Sequence, residues 1–439
     1  MIEHGNLIIG AGISGLSVAY HLRKLGEEYL IIEQEEPGGL ARTVTHNGFF
    51  FDLSGHVIHF SNEDYKNFIK EVLKDNLLYL KRKALFFFQG YYAPYPFQMY
   101  FYKIPNKKIV DECITGLKDA ARITYKKAPN NFKEWIFANF GAGIAKYFMI
   151  PYNEKLWCFP LEQISLEWVT KYVPKLDTNY LLNIVENKAL SKQEVGYNTY
   201  FFYPKKGGIG ALPKSIVAKI GDNKFLKARL VGVNLAKKEA TLSNGKRMRW
   251  KRLISTIPLP DFINLTEDSP EIIRYYASNL RYTSLISINL GIKGKIENDA
   301  HWIYFPEYEA PFHRVVIQSN LSPYVSPDST YSLIIEKSVR HIQNINMQEV
   351  YQRIISYLLK IHLLKEKDDI ITSKINIMKY AYPIYDIHYY SKREIILNFL
   401  EEHGIYSIGR FGSWEYMSME DSFIQAKKVI CKVIHESTC

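Results

Sequence analysis

The sequence predicts an α/β protein in which a dinucleotide-binding domain is assembled from both ends of the chain, with a helical insert and an antiparallel-sheet domain between its parts. Three observations predict this class. A short apolar strand, Leu7-Ile8-Ile9, runs directly into a glycine-rich turn and a helical pattern that continues to Leu25. A second strand ends in an acid, Glu33. Near the carboxyl terminus, the strand at 405–408 again leads into a glycine turn.

The first glycine turn has the spacing with which a backbone binds a pyrophosphate. Gly10 permits the tight turn, Gly12 lets the backbone approach the phosphates, and Gly15 allows the helix to pack closely on the strand. Ser14 lies at the helix start, where free N–H groups and the positive end of the helix dipole favour phosphate. Glu33, about 20 residues farther on, is where a ribose hydroxyl would be bound. Three glycines also occur in ordinary strand-to-helix turns, so the flanking strands and Glu33 decide the interpretation.

A second glycine pair follows this acid. Gly38 and Gly39, with Leu40 and Ala41, would bring another stretch of backbone near the same phosphates. That extension is typical of flavin adenine dinucleotide (FAD) enzymes more than of nicotinamide enzymes. We therefore expect an FAD-binding, Rossmann-like domain.

Composition limits the class of protein. The chain has 439 residues, 47% of them hydrophobic, which is enough for a large core and two or three subdomains. Its net charge of +11 is spread along the chain without a nucleic-acid-binding module, and a positive field also suits an anionic small substrate. The four cysteines lack metal-ligand spacing and predict reduced thiols and no metal site. With no signal peptide and no bilayer-length apolar run, we expect a cytoplasmic protein without a membrane span.

The remaining elements follow from apolar periodicity. Helical spacing predicts helices at 62–76, 110–125, 132–140, 143–148, 165–173, 213–220, 347–359 and 422–434. Strand patterns occur at 29–32, 84–88, 91–93, 200–203, 230–233, 239–242, 253–256 and 285–290, with 84–88 and 91–93 forming a hairpin. We expect an FAD-binding domain that is built from residues 1–80, 196–258 and 401–439. Between its parts we expect a hairpin and base-binding loop at 81–105, a helical substrate domain at 106–195, and an antiparallel-sheet domain at 259–400.

Two segments contain candidate site residues. Gly55-His56 would lie beside a flavin, where glycine permits close approach and the imidazole can hydrogen-bond to flavin or substrate. His59 is the weaker candidate, and a hydrogen-bonded core histidine is an equally common role for either. Tyr95, Phe97 and Gln98 combine an aromatic platform with an amide that can pair with the edge of a base. The alternative there is a rigid proline turn with buried aromatic rings.

Several segments then occur together in a distinctive order. They are Pro37-Gly38-Gly39-Leu40-Ala41, Gly55-His56-Val57-Ile58, Tyr95-Pro96-Phe97-Gln98, Pro151-Tyr152-Asn153 with Trp157, Trp302-Ile303-Tyr304-Phe305-Pro306-Glu307 with Pro311-Phe312 and Arg314, and Gly409-Arg410-Phe411-Gly412-Ser413-Trp414-Glu415-Tyr416. Over nearly the whole chain, this series resembles the UDP-galactopyranose mutases, and most closely the eukaryotic type.

The resemblance implies an isomerase that uses reduced FAD without net redox change. The flavin N5 would attack the anomeric carbon of the sugar and expel UDP, after which the ring opens and recloses as the furanose. The resemblance implies a catalytic set of His56, Arg314, Tyr304, Tyr382 and Tyr416. It implies substrate contacts from Tyr95, Phe97, Gln98, Asn153, Trp157, Tyr172 and Asn198 as well. It extends the flavin set to Leu230, Gly409, Arg410 and Ser422, and it places the reductant, NADPH or NADH, at Arg82 and Arg410.

Two positions depart from the family pattern. Tyr172, next to Lys171, stands where the family has a second diphosphate arginine. Ser418 or Met419 stands where an acid or amide follows the last tyrosine. These departures leave the identity of the nucleotide sugar open.

Two other functions share the same amino-terminal pattern. One is a net oxidoreductase of the amine oxidase or protoporphyrinogen oxidase type, since fold does not decide function. Such an enzyme would need an apolar or amine-binding cavity, whereas Arg314 with several tyrosines indicates an anionic substrate. The other is an inactive flavin-binding scaffold. The oligomeric state is not predictable from these patterns.

Overall fold

The computed structural model describes residues 3–122, 128–169, 178–187, 199–221, 224–343 and 345–434. The strands in chain order are β1 (Glu3–Ile9), β2 (Tyr29–Glu33), β3 (Thr43–His46), β4 (Phe49–Asp52), β5 (Leu77–Lys81), β6 (Ala84–Phe88), β7 (Tyr91–Pro94), β8 (Tyr200–Pro204), β9 (Phe225–Lys227), β10 (Leu230–Asn234), β11 (Glu239–Leu242), β12 (Arg247–Ser255), β13 (Tyr282–Lys293), β14 (Trp302–Tyr304), β15 (Arg314–Ile317), β16 (Thr330–Val339), β17 (Ile370–Pro383) and β18 (Ile405–Ser407). The helices are α1 (Ile13–Lys24), α2 (Glu63–Leu73), α3 (Phe97–Tyr100), α4 (Lys107–Arg122), α5 (Phe132–Ile144), α6 (Ile150–Trp157), α7 (Thr178–Asn187), α8 (Ala211–Ile220), α9 (Leu259–Asn264), α10 (Glu271–Ser278), α11 (Met347–Lys360), α12 (Tyr389–Glu402), α13 (Gly409–Gly412) and α14 (Met419–Ile434).

The first large sheet is the nucleotide-binding sheet. Strands β18, β12, β1, β2 and β9 lie side by side in that order, and every neighbouring pair among them is parallel. The antiparallel strands β10 and β11 extend the sheet from the amino-terminal part of β12. Strands from the beginning, middle and end of the chain thus form one sheet, which confirms the predicted α/β fold with a discontinuous nucleotide domain.

The second large sheet has the spatial strand order β17-β13-β16-β15-β14-β6-β7, which differs from the order of the strands along the chain. Its pairs are antiparallel except that β6 runs parallel to β14, with Ala84 opposite Trp302. The sequence-based expectation of an antiparallel sheet therefore holds for every pair but that one. The predicted hairpin is present as β6 and β7, and it joins this sheet at one edge.

The helical region contains one difference from the sequence-based expectation. Gly141 has a non-helical backbone (φ +68°, ψ 178°) that kinks α5 between the predicted helices 132–140 and 143–148, so these are separate helical pieces as expected, but the second piece includes a π-helical turn. Helix α5 continues to Ile144 and passes into a π-helical turn at Ala145–Met149, where the N–H of Ile150 donates to the carbonyl of Ala145. Pro151, at the start of α6, has no N–H to donate, which removes the α-helical bond that would otherwise form there. A continuous apolar pattern cannot distinguish a π turn from an α turn.

Two composition-based expectations meet different outcomes. Among the described residues, no helix is both long and apolar enough to cross a bilayer. Cys113 and Cys158 are free thiols. Cys431 is disulfide-bonded, so the expectation of four reduced thiols is wrong at that position.

Candidate functional site

A cavity of about 1740 Å³ lies where the nucleotide-binding sheet, the second sheet and the helical region meet. Most of the site residues predicted from sequence line this cavity: Gly10, Gly12, Ser14, Glu33, Gly38, Gly39, Leu40, Ala41, Gly55, His56, Leu230, Arg410 and Ser422 from the cofactor set, and Tyr95, Gln98, Asn153, Trp157, Tyr304, Arg314, Tyr382 and Tyr416 from the substrate set. Residues as far apart in sequence as Gly10 and Ser422 are therefore brought to one cavity.

The two glycine segments form a single backbone cradle. The N–H of Gly38 donates to the carbonyl of Ala11 at 2.8 Å, and Gly12 and Gly38 form a parallel bridge. A Cβ atom added to Gly12 would meet only the Cα of Gly39, at 3.9 Å, so a side chain there would extend into the cavity rather than into protein. The cradle therefore has room for a phosphate group against bare backbone, as a dinucleotide requires.

Glu33 is fixed at the edge of this cradle. Its carboxylate accepts hydrogen bonds from the N–H of Ala11 at 2.7 Å and from the N–H of Glu35 at 3.0 Å. The strand end and the glycine turn are thereby tied together at the position where a ribose would bind. The residues present fit FAD at its adenosine and pyrophosphate end.

Two glycines of the predicted cofactor set do not line the cavity. A Cβ at Gly15 would lie 2.0 Å from the carbonyl oxygen of Gly10, so this glycine serves helix-on-strand packing. Gly409 has a φ of +79°, and a Cβ there would lie 2.1 Å from the Oγ of Ser14. Both residues shape the cofactor loops from behind, because no larger side chain fits at either position.

Arg314 is paired with a buried acid that the sequence analysis did not identify. Its Nε donates to Glu336 on the adjacent strand β16, and the other carboxylate oxygen of Glu336 accepts the N–H of Gly55 at 2.8 Å. Glu336 is fully buried. Burial alone would raise the pKa of Glu336, but the Arg314 guanidinium overrides burial and holds that pKa below its usual range. Glu336 thus joins the guanidinium to the Gly55 loop.

Phenols and a second guanidinium also line the cavity. The rings of Tyr382 and Tyr416 are stacked with centroids 5.8 Å apart, and the guanidinium carbon of Arg410 lies 4.4 Å from the Tyr416 centroid. Arg410 is held by the carbonyl of Ala381, to which its Nη2 donates at 2.7 Å. Burial raises the pKa of Tyr382 and of Tyr304, so both phenols remain protonated donors at neutral pH. Such a wall is suited to an anionic ligand.

His56 is neutral at this site. Its Nδ1 lies 3.1 Å from the carbonyl oxygen of Ser54, and burial lowers its pKa to about 4. His59 is partly buried, and the burial of its ring lowers its pKa to about 4. A neutral imidazole can donate or accept a hydrogen bond but does not carry a fixed charge.

The segment predicted to bind a base is divided between the cavity and the core. Tyr95 and Gln98 line the cavity, and the buried Oε1 of Gln98 has no hydrogen-bond partner among the described residues. Phe97 is 0% exposed and packs behind the wall, stacked on Phe148 at 5.0 Å. Phe148 and Tyr152, themselves stacked at 5.4 Å, present their rings to the cavity instead. Phe97 therefore supports the aromatic wall rather than forming part of it.

Sequence reasoning missed several residues of the cavity wall. Glu336 interrupts the apolar strand at 331–335, and an acid in such a strand was the available signal. Trp168 lines the cavity beside Trp157, but its segment was assigned only as a helix. His313 is 1% exposed, and neither ring nitrogen has a hydrogen-bond partner within the described protein. No sequence signal distinguished it from an ordinary core histidine.

The departures noted in the sequence meet different outcomes. Tyr172, Lys171 and Asn198 lie outside the described residues. Ser418 and Met419 line the cavity. Ser418 is engaged locally, since its N–H and hydroxyl both donate to Asp421 at the start of α14, at 2.9 and 2.8 Å.

Sequence comparisons match parts of the chain. The family model of the NAD(P)-binding Rossmann-like domain matches residues 8–75. Prenylcysteine oxidase 1 from Mus musculus is 44% identical over 68 residues, which is 15% of this chain and 14% of that protein. Inactive all-trans-retinol 13,14-reductase from Danio rerio is 42% identical over 53 residues, or 12% of this chain and 9% of that protein. The chain thus aligns with about a seventh or less of these curated relatives.

Structural comparisons cover nearly the whole chain. A crystal structure of reduced UDP-galactopyranose mutase superposes with a TM-score of 0.93 and 30% sequence identity, over 99% of this chain and 94% of that chain. Wild-type putrescine oxidase bound to putrescine gives a TM-score of 0.69 at 16% identity, over 99% of each chain. A CLA-producing fatty acid isomerase from P. acnes gives 0.66 at 14% identity, over 98% and 99%. At these last two identities, the likeness establishes the fold alone.

Proposed function

The chain belongs to the UDP-galactopyranose mutase family, and we propose that it interconverts the pyranose and furanose forms of UDP-galactose or of a closely related nucleotide sugar. Bound in its reduced form, FAD would supply the nucleophile that displaces UDP from the anomeric carbon. The protein's own residues would bind and orient the nucleotide sugar and exclude water around it.

One observation favours this reaction over amine or porphyrinogen oxidation. The cavity that contains the phosphate cradle also contains Arg314, Arg410 and the buried phenols of Tyr304 and Tyr382. A leaving diphosphate gains negative charge, and each charge-assisted hydrogen bond to it is worth about 1.5–3 kcal/mol. An amine substrate would meet guanidinium groups of its own charge at the same wall.

The three arginines that line the cavity, Arg82, Arg314 and Arg410, differ in the role that we assign to each. Glu336 offsets the charge of Arg314 through a direct hydrogen bond, so that pair adds little net charge although the two Nη groups of Arg314 remain as donors. Arg82 and Arg410 line the same cavity and add further positive charge. We therefore assign Arg314 to oriented hydrogen bonding of the diphosphate, with Arg82 and Arg410 contributing to the attraction of the anion.

We assign the base-binding end to Tyr95, Gln98, Phe148 and Tyr152. An uncommitted amide oxygen at Gln98 matches an imide N–H such as that of uracil. The aromatic rings supply a stacking surface. NADPH or NADH remains the proposed reductant, with Arg82 and Arg410 as its phosphate-binding groups.

The decisive experiment counts turnovers per reduction. The FAD-loaded protein is reduced once with a stoichiometric amount of dithionite under anaerobic conditions and supplied with UDP-galactofuranose, and UDP-galactopyranose is measured. We expect many turnovers per flavin with no further reductant, because flavin acts as a nucleophile. Oxidised enzyme is the matched control and should be inactive. Product that tracks oxygen or reductant one for one would instead establish the oxidoreductase alternative. Reduced flavin with no turnover would favour a flavin-binding scaffold.

A further inference from the structure

The loop that contains Tyr416 has an unfavourable backbone conformation. Trp414, two residues before Tyr416, has a φ of +52° and is 0% exposed. A left-handed conformation at a bulky non-glycine residue is unfavourable and persists only where the surrounding structure imposes it. The source of that constraint is a set of side chains outside the cavity wall.

Three side chains at and just before the start of α12 hold this loop. The hydroxyl of Tyr385 accepts the N–H of Tyr416 at 2.8 Å. The hydroxyl of Tyr389 donates to the carbonyl of Trp414. The Nε of Arg393 donates to the carbonyl of Ser413, and its Nη2 pairs with Glu415 at 3.1 Å. Each residue from 413 to 416 thus has a hydrogen bond to this short segment.

The same segment is anchored on its other side to the helical region. The carbonyl of Tyr385 accepts the N–H of Ser165 at 2.7 Å, and Ile164 forms an antiparallel bridge with Asp386. Asp386 in turn forms an ion pair with Lys392 at 2.7 Å. Tyr385 is 3% exposed and does not line the cavity. It is therefore fixed between two parts of the protein that both contribute to the cavity wall.

We propose that Tyr385 is a positioning residue, which with Tyr389 and Arg393 sets the place of Tyr416 against Arg410 and the substrate. The assignment of Tyr416 to substrate rests on the proposed function. The hydroxyl of Tyr385 is the closest of the three groups to Tyr416, since it binds the N–H of that residue directly. Removing it takes away the acceptor of that N–H and frees the loop to shift.

A double-mutant cycle tests this proposal. Tyr385→Phe, Tyr416→Phe and the double variant are loaded with FAD, and the dissociation constant of UDP is measured by flavin fluorescence together with kcat and KM. We expect Tyr385→Phe to weaken UDP binding about 5- to 10-fold, the size of one lost hydrogen bond. In the Tyr416→Phe background, the same change should cost less than about 2-fold, because residues acting through one another are not additive. Tyr390→Phe, at an exposed tyrosine in the first turn of α12, is the matched control and should match the wild type.

Several outcomes would overturn the proposal. Equal losses in both backgrounds, or a loss no larger than that of Tyr390→Phe, would show that Tyr385 does not act through Tyr416. If Tyr385→Phe fails to fold, Tyr389→Phe replaces it in the same cycle, with the same expectation. A wild-type protein that binds UDP but rearranges no sugar would refute the mutase function. The double-mutant cycle measured by UDP affinity would still test the positioning role of Tyr385. If UDP does not bind, the absorbance spectrum of the flavin without ligand tests the positioning role instead. Tyr385→Phe should shift this spectrum in the same way as Tyr416→Phe. An unchanged spectrum in Tyr385→Phe would contradict the proposal.

Discussion

At Gly12 the surrounding protein does not require glycine. A Cβ atom added there would meet no protein atom closer than 3.9 Å, so we expect the requirement to come from a bound phosphate. We therefore expect Gly12→Val to fold with nearly unchanged stability but to lose FAD binding, because the isopropyl group would occupy the phosphate position. The measurement is the flavin absorbance per protein after reconstitution, alongside the melting temperature of the apoprotein.

Gly5→Val is the matched control for that prediction. Gly5 lies in the same strand, β1, where an added Cβ would meet only the Glu28 carbonyl at 3.9 Å. This variant should retain FAD. A Gly12→Val protein that binds FAD as tightly as the wild type would remove the glycine turn from the cofactor site.

Because Arg314 is paired with Glu336, its replacement should affect both the stability of the protein and its affinity for UDP, and the two effects can be measured separately. Arg314→Ala leaves a buried carboxylate without its partner, which we expect to destabilise the protein by about 3–5 kcal/mol. The same variant should weaken UDP binding by about 10- to 150-fold, from the loss of about 1.5–3 kcal/mol of charge-assisted hydrogen bonding. Urea unfolding and UDP titration measure the two effects independently.

The double variant Arg314→Ala/Glu336→Gln separates the two effects. Removing the uncompensated charge should restore much of the stability, because an amide in place of the acid is neutral. UDP affinity should stay low, since the guanidinium donors are still absent. If affinity recovers together with stability, Arg314 supports the fold and does not bind the diphosphate.

Among the elements, the contact of α4 with α5 fixes the start of α6, the helix that lines the cavity. A Cβ at Gly143 would lie 2.4 Å from the Glu112 carbonyl, and a Cβ at Gly116 would lie 2.8 Å from the Gly143 nitrogen. From α5 the chain passes through the π turn directly into α6, which contains Tyr152, Asn153 and Trp157. The close approach of two backbones thus sets where α6 begins.

Gly143→Ala distinguishes packing from helix propensity. Alanine favours a helix over glycine by about 1 kcal/mol. The clash with α4 opposes that gain, and overpacking costs about 1–3 kcal/mol. We expect net destabilisation in urea unfolding and a weaker affinity for UDP through displacement of α6.

The exposed residue Ala142 provides the control in the same helix. Ala142→Gly should lower stability by about 1 kcal/mol through propensity alone. UDP affinity should be unchanged in that variant. A stabilised Gly143→Ala protein would show that the two helices can separate without consequence.

At the scale of the whole molecule, buried histidines predict sensitivity to acid. Burial lowers the pKa of His21, His56, His59 and His301 to about 4 and that of His313 to about 3. An unfolded histidine has a pKa of about 6.5, so the unfolded chain binds protons that the folded chain does not. Stability from these groups is therefore fully present above pH 6.5 and is lost as the pH falls through about 4.

Asp52 has the opposite dependence. Burial raises its pKa to about 7, so its contribution to stability is present below the ordinary aspartate range and is lost as pH rises through about 7.

The pH dependence of one aspartate cannot offset that of five histidines. We expect the free energy of unfolding to fall steeply between pH 6.5 and 4, measured by urea unfolding of the apoprotein. His301→Gln should reduce that slope by up to about 1.4 kcal/mol per pH unit. A flat profile would contradict the burial of these rings.

The features that the sequence determined are local in the chain. The strand, the glycine turn, the helix and Glu33 lie within 33 residues, and their spacing alone predicts a phosphate cradle with an acid placed to bind a ribose. The hairpin at β6 and β7 and the apolar periods of α2, α4 and α11 were predictable for the same reason, because they depend on near neighbours. The long strand β17 and helix α12 were not predicted. Exposed isoleucines obscure the apolar pattern of each element: Ile371 and Ile377 in β17, and Ile395 in α12.

Tertiary structure alone decided which distant residues meet. Glu336 reads as an isolated acid in an apolar strand until the register of β15 with β16 sets it opposite Arg314. Phe97 lies next to Gln98 in sequence, yet one packs into the core and the other faces the cavity, because helix α3 turns their side chains in different directions. Tyr385 gains its contact with Tyr416 only because the segment that leads into α12 lies against the final glycine loop. Periodicity specifies which residues are buried within an element, but the choice of partner across elements depends on how whole elements pack, and a single sequence does not encode that in any local pattern.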